Sequence, residues 1–219
     1  MSYADTLTRV ETYFDRTATE VWARLTSDAP VSRVRETVRA GRETMRAKLL
    51  ATLPADLAGA RVLDAGCGTG AMAAELAGRG AGVVAVDISP ALLAIAGARL
   101  PAELAPRVRF VAGDMLDDKL GRFDAVVAMD SLIYYAPRDL DAALDRLAGR
   151  SGGGVAFTVA PATPLLRAMW WSGRLFPRSD RAPRMVPHDV ARLGRRHGAG
   201  DLGRVTSGFY ISHALEVRR

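Results

Sequence analysis

A short apolar run, Val62–Leu63, passes through Asp64 and Ala65 into Gly66, Gly68 and Gly70, and a helical stretch begins at Ala71. Few local patterns constrain a fold as strongly. Three glycines in five positions after a strand allow a tight turn and leave no Cβ between the backbone and a ligand. The helix that follows aims its N-terminal amides at the same place. The next apolar run, GVVAVD, ends at Asp87, seventeen residues after Gly70, and the one after that ends at Asp114 in VAGDM. Strand, loop, helix and returning strand make a right-handed βαβ unit on a parallel sheet. Three carboxylates then stand at three successive strand ends.

From the end of the second strand, Asp87 can accept both hydroxyl protons of a ribose, so the ligand carries a nucleoside. The glycines alone do not choose which: Gly66, Gly68 and Ala71 also satisfy the dinucleotide fingerprint G-x-G-x-x-A. Asp64 tilts the choice, because a carboxylate beside the loop repels a pyrophosphate and attracts the cation of a methionine moiety. Asp114 stands where it could accept an adenine amino proton.

This D-x-G-x-G-x-G run with its two later aspartates resembles the class I S-adenosylmethionine-dependent methyltransferases over about residues 60–160. The resemblance implies an α/β, Rossmann-like fold: a mostly parallel seven-stranded sheet with an antiparallel C-terminal strand, helices on both faces and an N-terminal helical arm. It implies S-adenosyl-L-methionine (SAM) as co-substrate. It also adds Ala65, Cys67, Ile88, Met115 and Met129 to the aspartates and glycines as cofactor contacts.

Pattern divides the chain into four regions. Residues 1–57 read as a helical arm, with Leu7, Val10, Phe14, Val21 and Leu25 at helical spacing and Ser32 placed to cap a second helix to about Leu53. Residues 58–160 alternate apolar runs with helices expected at 70–79, 90–100 and 138–149. Residues 161–187 are broken by prolines and carry Trp170 beside several arginines, as suits a lid over a macrocycle or the headgroup zone of a membrane. In 188–219, a helix ending at glycine precedes two antiparallel strands that turn at Ser207–Gly208.

No apolar run approaches the roughly 18 residues of a membrane span, and MSYADTLTRVETYFDR has no signal-peptide core. Cys67 is the only cysteine, which excludes a disulfide framework and a cysteine metal cage and points to the cytoplasm. The net charge of +6 comes almost wholly from arginine, lysine standing only at positions 48 and 119. Such a balance favours anionic partners.

The flanks choose the acceptor. YFDRTATEVWARL at Tyr13–Leu25, RVRETVRAGRETMR at Arg33–Arg46, VAMDSLIYY at Val127–Tyr135 and GFYISHALEV near the C-terminus are similar to the magnesium protoporphyrin IX methyltransferases of bacteriochlorophyll biosynthesis. That resemblance implies esterification of one propionate of Mg-protoporphyrin IX, at C13, with the magnesium the substrate's own; the residues themselves offer no protein-held metal site, and a monomer is expected. The resemblance further implies contact with the porphyrin-carrying subunit of magnesium chelatase, and peripheral association with the intracytoplasmic photosynthetic membrane, with no nucleic-acid partner.

The residues offer matching chemistry. Arg35, Arg39, Arg42 and Arg46 fall on one helical stripe, suited to the non-reacting propionate or to the approach path. Tyr134 and Tyr135 follow the fourth strand, where a phenol could orient the reacting carboxylate. Members of the family from oxygenic phototrophs carry histidine where Tyr134 stands and a tyrosine near Leu25–Thr26. This chain departs from them at both places, so neither role is transferred. His188 is expected to start a helix, His197 to end one and His213 to lie in the last strand, each a candidate axial ligand to the substrate's magnesium. Three other readings stay open: a phenol or quinol O-methyltransferase, an RNA methyltransferase and a non-catalytic SAM-binding module. The first wants a base near Tyr134; the second wants an N/D-P-P-Y/F motif where this chain has MDSLIYY.

Overall fold

The computed structural model describes residues 3–17, 19–26, 32–164, 183 and 185–218. Most of the expected lid, Trp170 included, lies outside the described residues. Five parallel strands follow from the apolar runs: β1 (Arg61–Ala65), β2 (Gly82–Asp87), β3 (Val108–Ala112), β4 (Ala125–Ala128) and β5 (Gly154–Pro161). Two residues, β6 (Pro187–His188), pair with the end of β5, and β7 (Gly200–Ser207) and β8 (Tyr210–Arg218) form the closing hairpin. The order is β3-β2-β1-β4-β5-β8-β7, with β8 antiparallel to both neighbours. The short β6 is the one strand among the described residues that the apolar pattern does not announce.

Both faces of this sheet are covered, which is why β1 and β5 read as nearly unbroken apolar runs rather than as alternation. Leu63, Phe157 and Leu215 pack with Leu140, Leu144 and Leu147 of the helix Pro137–Arg150 on one face. On the other, Val62, Val83 and Val127 pack with Met45 and Leu49 of the helix Arg33–Leu50 and with Leu76 of the helix Ala71–Gly78.

In chain order the α-helices among the described residues are α1 (Tyr3–Thr12), α2 (Thr19–Leu25), α3 (Arg33–Leu50), α4 (Ala71–Gly78), α5 (Pro90–Arg99), α6 (Pro137–Arg150) and α7 (Val190–His197). Apolar spacing runs on from α1 into α2, yet a π-turn at Tyr13–Thr17 divides them. Ser32 precedes α3 without a side-chain cap, and the helix stops at Leu50 rather than near Leu53. Ser89 does cap α5, accepting the Leu92 amide, with Pro90 in the first turn. His188 does not start a helix: it sits in β6, and Asp189 caps α7 by accepting the Arg192 amide at 3.0 Å. No described helix is long and apolar enough to cross a membrane.

Candidate active site

The strands β1, β2 and β4 deliver their carboxyl ends to one cavity of about 380 Å³, roofed by the arm. Its first wall is the glycine loop. Gly66 adopts a left-handed backbone, φ 80°, and a Cβ there would lie 2.2 Å from the Ser131 Cβ. Asp87 ties the loop to β2: Oδ2 accepts the Gly68 amide at 2.8 Å and Oδ1 the Ser89 amide at 2.9 Å. The Ile88 amide also bears on the carboxylate; of its roughly four acceptor positions, one remains for a ribose hydroxyl.

Asp64 is 1% exposed. It accepts the Ala73 amide, but Oδ2 has no partner. Burial, reinforced by the charge of Asp87, lifts its pKa to about 7. An unpartnered buried carboxylate beside a second one calls for a cation. The ammonium and sulfonium of SAM fit that demand; a pyrophosphate does not. Asp114 Oδ1 accepts from the Tyr3 hydroxyl at 2.7 Å and the Leu116 amide at 2.8 Å.

Cys67, Ile88, Met115 and Met129 also line the cavity. The Cys67 thiol, its pKa pushed up by burial, is a packed wall group with no thiolate character. Ala65 and Gly70 do not line it. Ala65 is a core residue whose carbonyl accepts from Ser131 Oγ at 2.7 Å. Gly70 caps α4 at φ 83°, and a Cβ there would sit 2.9 Å from the Ala96 Cβ.

The opposite wall comes from the turn after β4, from α3 and from β8. Tyr134 lines the cavity, and among the described residues its hydroxyl has no hydrogen-bond partner. Burial and then the charge of Asp130 raise its pKa, against the opposing influence of Arg42. Tyr135 is more deeply buried, with its hydroxyl 3.5 Å from that of Tyr3 and the two rings edge to face.

The arginine stripe separates into different roles. Arg35 is exposed and off the cavity, because the first turn of α3 extends beyond the rim. Arg39 reaches the cavity but donates to the carbonyls of Leu25 at 3.1 Å and Arg24 at 3.0 Å, tying α3 to α2. Arg42 also lines it, with Nη1 2.6 Å from Asp130 Oδ2 and its guanidinium 4.9 Å over the Trp22 ring.

Sequence reasoning missed Asp130, Thr158, Tyr210 and Ser212, which meet here. A fourth acidic residue just past a strand was the available signal for Asp130. The other three had none, since their contacts cross 28 to 82 positions of sequence. None of the three histidines lines this cavity. His188 is buried elsewhere and held neutral by that burial, its pKa near 4, while His197 and His213 pair with Asp141 and Asp201. Among the described residues no group of three or more histidine, cysteine or acidic side chains could hold a metal.

Above lie Val10, Phe14 and Trp22 of the arm. Asp15 fixes the roof to the start of α5 by accepting from Ser89 Oγ and, at 3.3 Å, from the Ala91 amide. Arg99 secures α2 through the Ala23 carbonyl at 2.6 Å and Thr26 Oγ1 at 2.8 Å.

Residues 128–219 match the family model described as magnesium-protoporphyrin IX methyltransferase C-terminus, and residues 62–150 match a methyltransferase domain. The magnesium-protoporphyrin O-methyltransferase of Rhodobacter capsulatus is 58% identical over 99% of this chain and 98% of its own. The chloroplastic enzyme of Arabidopsis thaliana is 34% identical over 95% of this chain and 70% of its own. Among solved structures, the magnesium protoporphyrin IX methyltransferase of Synechocystis PCC 6803 with bound SAH is 30% identical, with a TM-score of 0.81 over 97% of this chain and 99% of that one.

Proposed function

Since the chain belongs to the magnesium-protoporphyrin IX methyltransferase family, we propose that it esterifies one propionate of Mg-protoporphyrin IX, at C13, with the methyl group of SAM. One observation carries the reading. A single cavity has an unpartnered buried carboxylate, Asp64, at its cofactor wall and a phenol, Tyr134, with an arginine, Arg42, at its acceptor wall.

When bound, SAM supplies an electrophilic methyl group on a sulfonium. A propionate, with the pKa of about 4.3 of a free glutamate, is ionised at neutral pH and needs no strong base. The protein's part is therefore alignment and the exclusion of water. Asp64, Asp87 and Asp114 would fix the cofactor at its ammonium, ribose and adenine. Tyr134 donates to the reacting carboxylate. Its raised pKa suits it to that task, because a phenol that stays protonated can orient an anion but cannot act as a base. The absence of histidine from the described cavity wall weighs against a phenol or quinol acceptor. Delivery by the porphyrin-carrying subunit of magnesium chelatase, at an anionic membrane surface, belongs to the same reading and is supported by the net charge of +6.

The test is incubation with methyl-labelled SAM and Mg-protoporphyrin IX, metal-free protoporphyrin IX, a catechol or bulk RNA. Label is expected chiefly in Mg-protoporphyrin as a monomethyl ester; label in the catechol or RNA alone would overturn the reading. Replacing Tyr134 by phenylalanine should lower kcat about tenfold, the worth of one hydrogen bond, with cofactor affinity unchanged. An unaltered kcat would remove Tyr134 from the acceptor site.

A further inference from the structure

Asp130 is the only non-glycine residue among those described with a left-handed backbone, φ 56°. Aspartate tolerates that region better than most residues, yet it persists only where the surroundings impose it. Here they do. Its amide donates to Thr158 Oγ1 at 2.7 Å. Its carboxylate accepts from Thr158 Oγ1 at 3.2 Å, from the Tyr210 hydroxyl at 3.1 and 3.2 Å, from Ser212 Oγ at 3.3 Å and from Arg42 Nη1 at 2.6 Å. Helix α3 and strands β5 and β8 thus converge on one carboxylate beside the cavity. The fit of α3 against β8 is close: a Cβ on Gly41 would lie 2.7 Å from the Tyr210 ring.

A carboxylate with this many donors has little accepting capacity left, and its charge repels an anionic acceptor. Asp130 therefore acts on its neighbour. Arg42 has five N–H donors in a fixed plane. One is held by Asp130 and the guanidinium face rests on Trp22, while the group borders the cavity. Among the described residues it makes no other hydrogen bond.

We propose that Arg42, assigned from the sequence stripe alone to the non-reacting propionate or the approach path, instead binds the reacting carboxylate, and that Asp130 is the positioning residue that aims it and balances its charge. The inference rests on the carboxyl-methylation reading above. Its chemistry resolves a conflict. An isolated arginine would grip the substrate carboxylate firmly but draw electron density from the attacking oxygen. An arginine already paired has remaining N–H groups to orient the substrate, while the pair as a whole is neutral. The oxygen keeps its nucleophilicity.

The test is a double-mutant cycle on Mg-protoporphyrin turnover with Asp130→Asn, Arg42→Ala and both together. Asp130→Asn should lower kcat at least tenfold without raising the KM for porphyrin, with cofactor affinity within twofold of wild type. Arg42→Ala should raise that KM at least tenfold, and added methylguanidine should restore part of the loss. In the Arg42→Ala background, Asp130→Asn should change kcat/KM less than twofold. Additive losses, or a raised porphyrin KM with unchanged kcat in Asp130→Asn, would overturn the proposal. Should Asp130→Asn fail to fold, Arg42→Lys, which keeps a charge beside Asp130 but loses the fixed plane of N–H donors, is measured instead: a kcat at least tenfold lower is expected, and a wild-type kcat would overturn the proposal. A wild-type protein inactive on both porphyrins but active on another acceptor refutes the carboxyl-methylation reading instead, a result separable from an active wild type with an additive cycle.

Discussion

A single atom, Asp64 Oδ2, is buried without a partner, and the cost of that is readable in pH. The folded pKa of about 7 lies above the ordinary aspartate value of about 3.9. Without ligand, the native state holds a proton across that window that the unfolded chain has released. The stabilising contribution is thus complete below about pH 3.9, declines as pH rises and is gone above about 7. A bound cation reverses the preference, because it needs the carboxylate. Cofactor affinity should therefore fall below about pH 7, by at most about tenfold per unit, and Asp64→Asn should bind weakly with a flattened profile. Calorimetric titration between pH 5.5 and 8.5 reads both; a sloping profile in the variant would remove Asp64 from the linkage. Burial of this aspartate is legible in the sequence from its place inside RVLDAG, whereas the missing partner is not, since that depends on every group that faces it.

Elements divide into those that hold the loop and those that roof it. Helix α4 begins at Gly70, whose left-handed backbone and 2.9 Å clearance from Ala96 leave no room for a methyl group. Gly70→Ala should cost about 1–3 kcal/mol and lower Tm by several degrees in thermal unfolding; an unchanged Tm would refute that account. The glycine spacing makes this helix start visible in sequence alone. The arm was legible only in part. Periodicity from Leu7 to Leu25 shows an apolar face, but the π-turn at Tyr13–Thr17 has no local signature. That turn carries Asp15, whose bonds to Ser89 and the Ala91 amide set the roof on α5. Asp15→Ala should speed amide exchange through α1 and α2 several-fold, read by hydrogen-exchange mass spectrometry, while α4 and β1 exchange as before. Unchanged exchange in the arm would show that Phe14 and Trp22 packing suffices.

Across the whole molecule, the two walls of the cavity differ in how far apart their parts lie in the chain. Asp64, the glycines, Asp87 and Asp114 fall within 51 residues of consecutive βαβ units, so one motif announces them. Arg42, Asp130, Thr158 and Tyr210 are joined across up to 88 residues by α3 and by β8. No period or spacing reports such a meeting, so the four-way contact at Asp130 is not legible in the sequence, whereas one motif gathers the residues of the opposite wall. The direction of the strands is foreseeable, though their order is not: alternating units give the parallel part, and Ser207–Gly208 marks the reversal.

Strand β8 enters between β5 and β7, pairing Gly154–Val159 with residues 213–218. Distant pairings of this kind close late, because loop entropy must be met before the contacts reward it. The two walls of the chamber thus differ in what closes them: β1 and β2 meet across 21 residues, whereas β5 and β8 meet across 54 to 64. During refolding, stopped-flow fluorescence should report binding of a fluorescent SAH analogue before the Tyr210 environment becomes native; simultaneous appearance would mean the two walls form as one.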